Sequence, residues 1–471
     1  MPGDFNNLTA NKPFIEGSWV TKRNGTYYWQ YAAPGTQYKT YADGIFTAAS
    51  PTGPWTYAAQ YSPVSHKPTG FLGGVGHSST FDDFAGQTWH ISTASIDVRD
   101  ATCGHFERRA ALHPVLWGEH GEMVVDTYLG DYPQYASGTG SPGWMLLSYN
   151  KTTNASSSLS GHSTALAVNE DIRTWWSASN DNAGEWFQID LGAACDIHAV
   201  QTNFADQDAN HNGILTASYR YTLAVSTDGV TWRTVLSRGP PPALAAPPFM
   251  VEGSCAAANY SKLCLHNAKP ILRSFESVDP GECCRNCTAE PKCISWNVNM
   301  NMKQCFLRAS YVANPGTGCI SGQSRAVPPP PPPAPDQPHD YAELAGPARA
   351  RHVRITSHFM PAGGKFSLSG LRVFGLCPGA LPAAAISVRA VRDSNDPRRA
   401  HVSWLAGGPG VLAEFYIVRY GAAKDRLFGN YQVYGGTNLT VANLNAGTSY
   451  FVTVDSVGST GVAEGVAVVQ V

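Results

Sequence analysis

At 471 residues the chain has room for several domains. Its formal net charge is −2 and it carries no basic stripe, which excludes nucleic acid or an anionic membrane as its main partner. Charged residues make up only 14%, against 46 Gly and 33 Pro, a balance that suits β-rich extracellular modules; no apolar run is long enough to span a bilayer.

The start, Met1-Pro2-Gly3-Asp4, has neither a basic n-region nor an apolar h-region. Phe14-Ile15-Glu16-Gly17-Ser18-Trp19 then sets one carboxylate among apolar residues. Asn24-Gly25 is a hairpin turn leading into the aromatic strand Thr26-Tyr27-Tyr28-Trp29-Gln30-Tyr31. Apolar surroundings disfavour the charged form of a carboxyl, so the Glu16 pKa is expected to rise, as a general acid requires. Residues 44–48, 88–92 and 122–126 are further short strands between Gly, Pro and Asn-Gly turns, a pattern of propellers and sandwiches. Trp29, Trp55, Trp89 and Trp117 are expected to pack between sheets rather than touch ligand.

Residues 14–31 resemble the catalytic-acid segment of the family 43 glycoside hydrolases, which are five-bladed β-propellers. Ser50-Pro51-Thr52-Gly53-Pro54-Trp55 resembles a blade turn of that family, and Gly76-His77-Ser78-Ser79 its Gly-His-Gly-Ser element. Phe106-Glu107-Arg108-Arg109 with His120-Gly121-Glu122 resembles its last-blade pattern. Gly130-Asp131-Tyr132-Pro133 followed by Gly143-Trp144-Met145 resembles a bacterial subgroup whose propeller precedes a discoidin-like module. In order and spacing these motifs cover roughly the last three blades, within residues 1–146.

The resemblance implies an inverting enzyme with Glu16 as general acid. It acts on β-xylosides or α-L-arabinofuranosides of plant or algal polysaccharide. Trp19 is the candidate for stacking a sugar, because it follows the acid closely. His77 is expected to point down the propeller axis, and Arg108 or Arg109 to face the sugar or bridge two blades. Inversion needs a second carboxylate ~6.5–9.5 Å from the first to hold the attacking water. In the family this base and a further Asp lie upstream of the acid. Asp4 is the only Asp before Glu16 and lacks a strand context. Asp43, Asp82 and Asp83 lie downstream, where the family keeps neither partner, and Asp82-Asp83 with Gly86 reads as a hairpin turn. The chain is therefore expected to present an acid with no evident base, and to lack the front of a longer protein, signal peptide included.

Residues 147–376 resemble a discoidin module, the coagulation factor 5/8 C-type jelly roll. The resemblance rests on Trp175-Trp176-Ser177-Ala178, Gly184-Glu185-Trp186-Phe187-Gln188-Ile189-Asp190-Leu191-Gly192 and residues 221–232. Its closing strands are delayed to residues 350–355 and 370–375. Residues 252–325 interrupt it. Cys255, Cys264, Cys283, Cys284, Cys287, Cys293, Cys305 and Cys319 crowd there, eight of the eleven cysteines in the chain. Such density reads as a disulfide framework of unassigned pairing in an oxidising compartment. Zinc is the competing reading, but Cys284-x-x-Cys287 has no matching second pair. Cys283-Cys284-Arg285-Asn286-Cys287 and Cys293-Ile294-Ser295-Trp296 resemble a PAN/apple module. Residues 326–338 form a Pro-rich linker. Residues 378–471 resemble a fibronectin type III sandwich, with Trp404 as its early buried Trp and Leu444-Asn445-Ala446-Gly447-Thr448-Ser449-Tyr450 as its tyrosine corner.

The expected fold class is all-β: a partial five-bladed propeller, a jelly roll with a disulfide-rich insert, and an Ig-like sandwich. The expected protein is a secreted monomer whose partner is a polysaccharide or glycan. It needs no cofactor. The discoidin resemblance implies a structural calcium near Ala167–Asp171, with Asn169 and Asp171 as candidate oxygen ligands. Trp175 and Trp176 are candidate glycan contacts, although one or both are expected in the core. The enzymatic reading competes with that of a non-catalytic carbohydrate- or matrix-binding protein.

Overall fold

A computed structural model describes residues 15–36, 38–96, 107–135, 141–209, 219–239, 270–290, 292–309, 319–323, 338–442 and 444–471. Asp4, Cys255, Cys264 and the proline run lie outside the described residues. The chain is all-β, and Pro280–Ala289 is the one α-helix among the described residues. Among those residues no helix is long and apolar enough to cross a membrane. Two compact units are present, residues 1–237 with 335–471, and residues 238–334.

The first unit begins with two antiparallel four-stranded sheets. One holds β1 (Glu16–Arg23), β2 (Thr26–Ala33), β3 (Ala42–Ala48) and β4 (Thr56–Tyr57) in that order. The other holds β5 (Gly73–Asp82), β6 (Thr88–Ile96), β7 (Glu107–Trp117) and β8 (Met123–Val125). The resemblance implied about three blades; the described residues hold two. Asn24 and Gly25 take φ of 46° and 85°, the two left-handed residues of the expected hairpin turn. Trp29 packs on Phe46 and Trp55, and Trp117 on Tyr28, so these aromatics cement the sheets. The buried Gln30 of β2 bonds Thr80 and Ser78 of β5, which joins the two sheets face to face.

Next come β9 (Met145–Leu146), β10 (Thr152–Ala155), β11 (Trp176–Ser177), β12 (Trp186–Phe204), β13 (Arg220–Ser226) and β14 (Arg233–Arg238). The chain then enters the second unit. There β15 (Ile271–Glu276), β16 (Ser295–Asn299), β17 (Gln304–Arg308) and β18 (Cys319–Gln323) form a sheet ordered β15-β17-β16-β18 against α1 (Pro280–Ala289). Asp279 caps α1 by accepting from the Gly281 N–H, and Pro280 opens its first turn. Cys283–Cys305 and Cys287–Cys293 are disulfides, and Cys284 and Cys319 are disulfide-bonded as well. Thiolates for zinc are therefore not present at Cys284 or Cys287. So small a core, centred on Trp296, Val298 and Leu307, gains its stability from these cross-links.

Back in the first unit, β19 (His339–Phe359) and β20 (Ser367–Leu376) both pair with β12, giving the order β11-β20-β12-β19-β13-β14. Register shifts bend β12 and β19. The ladder thus curves around a core of Trp176, Phe187, Tyr221, Ile355 and Leu368. A disulfide absent from the sequence expectations, Cys195–Cys377, joins β12 to the residue after β20.

The last strands are β21 (Ile386–Arg392), β22 (Ala400–Leu405), β23 (Phe415–Gly421), β24 (Gly429–Val433), β25 (Asn438–Val441), β26 (Phe451–Gly458), β27 (Gly461–Ala463) and β28 (Val469–Gln470). They form two sheets, β21-β22-β25 and β24-β23-β26-β27 with β28 beside β26. Trp404 is buried between them against Tyr416, and the Tyr450 hydroxyl accepts from the Asn445 backbone N–H.

All parts of the first unit meet at one core and one ion network. Leu129, Tyr132, Leu146, Phe374, Ile417 and Val457 are buried together. Beside them Asp131 receives Lys67 at 3.1 Å, the Phe71 N–H at 2.9 Å, Arg372 at 3.3 Å and Gln432 at 3.0 Å. Arg372 also pairs with Glu170 at 3.0 Å. Burial alone would raise the Asp131 carboxyl, but the charges of Lys67 and Arg372 reverse this and hold it well below the ordinary carboxylate range. At Glu170 burial wins over Arg372, and its carboxyl is raised. Gly70, at φ +100°, leaves the space this needs: a Cβ there would lie 2.3 Å from Gln432 Oε1 and 2.9 Å from Lys67 Nζ.

Candidate active site

Glu16 opens β1, opposite Ala32. A register shift between Glu16 and Trp19 inserts one extra residue before Trp19 meets Gln30. Ala32 and Gln30 lie on one face of β2, so the bulge turns Glu16 and Trp19, three residues apart, to that same face. Without it they would point to opposite sides. The shift therefore sets the acid candidate and the stacking candidate side by side. Trp19 is 42% exposed, and its indole N–H donates to Thr21 Oγ1 at 3.0 Å.

Two side chains hold the Glu16 carboxylate. The Tyr41 hydroxyl donates to Oε1 at 3.0 Å, and His77 Nδ1 lies 3.8 Å from Oε2. Tyr41 is fully buried, and burial followed by this bond to Glu16 pushes its phenol well above the ordinary value, so it stays a donor at every working pH. Sequence reasoning did not find Tyr41. Its signal was present only as a Tyr just before β3, a position that becomes meaningful once β1 and β3 are folded around β2.

The apolar flank expected to bury Glu16 is not closed. The Glu16 side chain is 43% exposed and Ile15 is 42% exposed. The carboxyl is thus open to a ligand. Gly17 takes φ +65°, and a Cβ on it would stand 2.9 Å from the Cα and Cγ of His77. Only glycine lets β1 run this close to His77, which itself takes φ 55°.

Arg108 and Arg109, adjacent on β7, part company. Arg109 donates to Asn203 of β12 at 2.8 Å and so has a structural role. Arg108 is exposed, and its charge offsets a small part of the rise at the Tyr41 phenol. Glu16, Tyr41 and His77 are thus brought together, with Trp19 on the same face of β1.

The downstream aspartates are committed elsewhere. Asp43 is fully buried, 2.8 Å from His90 Nε2, with Ser65 on the same oxygen. Asp83 accepts from the Ala85 and Gln87 N–H groups across the turn at Gly86, as its sequence suggested.

In the jelly roll, Trp176 is core, packed on Phe187 and Phe366. Trp175 stays partly exposed, 4.8 Å from the His162 ring and bonded to Gln207. The calcium candidates do not form an oxygen cage. Both Asp171 oxygens face the Arg173 guanidinium at 2.9 and 3.2 Å, and Asn169 Oδ1 accepts the Asp171 N–H. A guanidinium sits where a cation would have to bind, so these residues do not fit calcium.

Comparison with known proteins gives a curated relative and distant structures. The protein named β-D-galactofuranosidase xynD, from Aspergillus niger, is 29% identical over 124 residues, 26% of this chain. The chain spans about a third of that relative's length, 35%. Among solved structures, an endo-1,4-β-xylanase from Bacteroides thetaiotaomicron is 23% identical over 26% of this chain and 40% of its own, with a TM-score of 0.22. A family 32 carbohydrate-binding module of Clostridium perfringens NanJ, solved with galactose, is 10% identical over 49% of this chain and 98% of its own, with a TM-score of 0.24. Likenesses this low carry no weight for fold or function. The family models are more definite: residues 5–123 carry a match to the glycosyl hydrolases family 43, and residues 152–246 a match to the F5/8 type C domain.

Proposed function

We propose that the chain serves an inverting glycoside hydrolase of the β-xylosidase/α-L-arabinofuranosidase type, acting outside the cell on plant or algal polysaccharide. Glu16 is its general acid, Trp19 its sugar platform, and His77 and Arg108 its polar contacts. The observation that carries this reading is the setting of Glu16: an exposed carboxylate, fixed by a buried Tyr41 donor, inside the stretch matched to family 43. The name of the Aspergillus niger relative adds galactofuranosides to the furanosides worth testing. The disulfides support an oxidising compartment, and the F5/8 type C match supports a glycan-holding role for the jelly roll.

The test is hydrolysis of aryl xylosides and arabinofuranosides with good and poor leaving groups. Glu16→Gln should suppress turnover of poor leaving groups by roughly 10²–10⁴-fold and spare good ones, which need little protonation. Equal turnover of both classes by variant and parent would remove Glu16 from the acid role. The exposed Trp19 beside Glu16 also suits a second reading, a non-catalytic carbohydrate- or matrix-binding protein, in which Glu16 and Trp19 bind sugar without cleaving it.

A further inference from the structure

The first unit contains a cleft of about 400 Å³ that the Glu16 site does not use. It opens where the residues after β4 and the turn before β8 meet the β23–β24 loop and the approach to β26. Its polar floor is the ion pair of Glu122 and Arg426, 2.9 Å apart. Burial alone would raise the Glu122 carboxyl, but the backbone N–H groups of Glu122 and His120, together with Arg426, bring it below its usual value. The aromatic residues Tyr61 and Phe428 line it as well, together with Thr448 and Ser449. The Tyr61 hydroxyl has no hydrogen-bond partner among the described residues.

These parts suit one ligand chemistry. A sugar ring offers apolar C–H faces to aromatic rings and vicinal hydroxyls to a paired carboxylate and guanidinium. The volume lies within the roughly 300–1,000 Å³ typical of small-ligand sites. An apolar ligand would leave the ion pair facing it unsatisfied. An anion would meet the Glu122 charge beside Arg426, and a cation the reverse. A neutral, polyhydroxylated ring satisfies both ends of the pair at once.

The cleft is remote from Glu16. The Glu122 turn is tied to the Tyr28 hydroxyl through the Gly121 carbonyl at 2.8 Å, and Tyr28 pairs with Thr21. From Glu16 to Thr21 the strand advances five residues, about 16 Å at ~3.3 Å per residue.

We propose that this cleft is a second, non-catalytic carbohydrate site that takes a neutral saccharide between Tyr61 and Phe428, with its hydroxyls on Glu122 and Arg426. The proposal rests on the glycan reading above, and it makes the junction with the C-terminal sandwich a polysaccharide contact as well as a support.

The test is hydrogen exchange of the full chain with and without millimolar xylohexaose or arabinohexaose, read by mass spectrometry over residues 56–62 and 421–429. Exchange there should slow at least threefold with one of the sugars, both in the parent and in Glu16→Gln. Ala422→Trp, at an exposed rim position, should fill the cleft and abolish that protection while leaving the melting temperature unchanged. Phe428→Ala should weaken it by removing one lining ring. No protection with either sugar, or protection that survives Ala422→Trp, overturns the proposal. Protection that persists while Glu16→Gln proves silent in hydrolysis would keep this site and remove only the catalytic role of Glu16.

Discussion

Asp131→Asn is the most revealing single change, because one carboxylate ties together every part of the first unit. The substitution keeps the shape and removes the charge. Lys67, 1% exposed, then loses its counter-charge and keeps only neutral acceptors, the Thr69 carbonyl at 3.3 Å among them, and Arg372, also 1% exposed, keeps Glu170. Removing one partner of a buried pair leaves an uncompensated charge and costs about 3–5 kcal/mol. At about 1.4 kcal/mol per tenfold, the unfolding constant should rise roughly 10²- to several 10³-fold. Urea unfolding at pH 7, followed by tryptophan fluorescence, measures it. The pH dependence gives an independent check. The folded-state pKa of Asp131 is depressed, so its stabilisation is complete above the ordinary carboxylate value of about 3.9 and is lost as pH falls from there toward the folded value. The gap between parent and Asp131→Asn should stay constant from pH 7 to about 5 and close below about 4. Adding Lys67→Met should recover part of the loss, since no lone ammonium remains buried. A stability difference under about 1 kcal/mol at pH 7, or a gap that widens in acid, would refute the reasoning.

Two further expectations follow from the site and the cross-links. Gly17→Ala forces a Cβ to within 2.9 Å of the His77 backbone at a left-handed φ, so it should displace β1. It should lower Glu16-dependent hydrolysis at least tenfold while the far-ultraviolet spectrum stays native; unchanged turnover would show that the close approach does not position the acid. Thiol titration of the denatured, unreduced protein should find no more than three free thiols among the eleven cysteines, because at least eight, all among the described residues, are disulfide-bonded. A count of four or more, or stoichiometric zinc in the native protein, would contradict the disulfide framework.

Much of the local structure was legible in the residue order. Asn24-Gly25 specifies a hairpin because successive left-handed residues are cheapest there. The crowded cysteines declared a cross-linked core, and Tyr450 declared a strand corner, because each feature depends on a few residues close in the chain. The identity of Glu16 as an acid candidate was likewise carried by its immediate neighbours. Its environment was not: the apolar flanks suggested burial, whereas Glu16 and Ile15 are both more than two-fifths exposed. Flanking residues report composition along the strand, and exposure depends on what lies across it.

What the tertiary structure alone decided are contacts between residues distant in sequence. Tyr41 reaches Glu16 only because β1 and β3 flank β2, and the bulge that brings Trp19 beside Glu16 is a property of strand pairing. The sequence carried the family 43-like and discoidin-like motifs, and residues 5–123 and 152–246 match the corresponding family models. It gave no sign that Asp131, Arg372 and Gln432 share one buried network, or that Cys195 bonds Cys377 across 182 residues. Local pattern determines which strands form, because φ/ψ preference and alternation act over a few residues. Charge pairing, burial and clefts act through space, at separations the linear order does not encode, and only the folded chain brings them within reach.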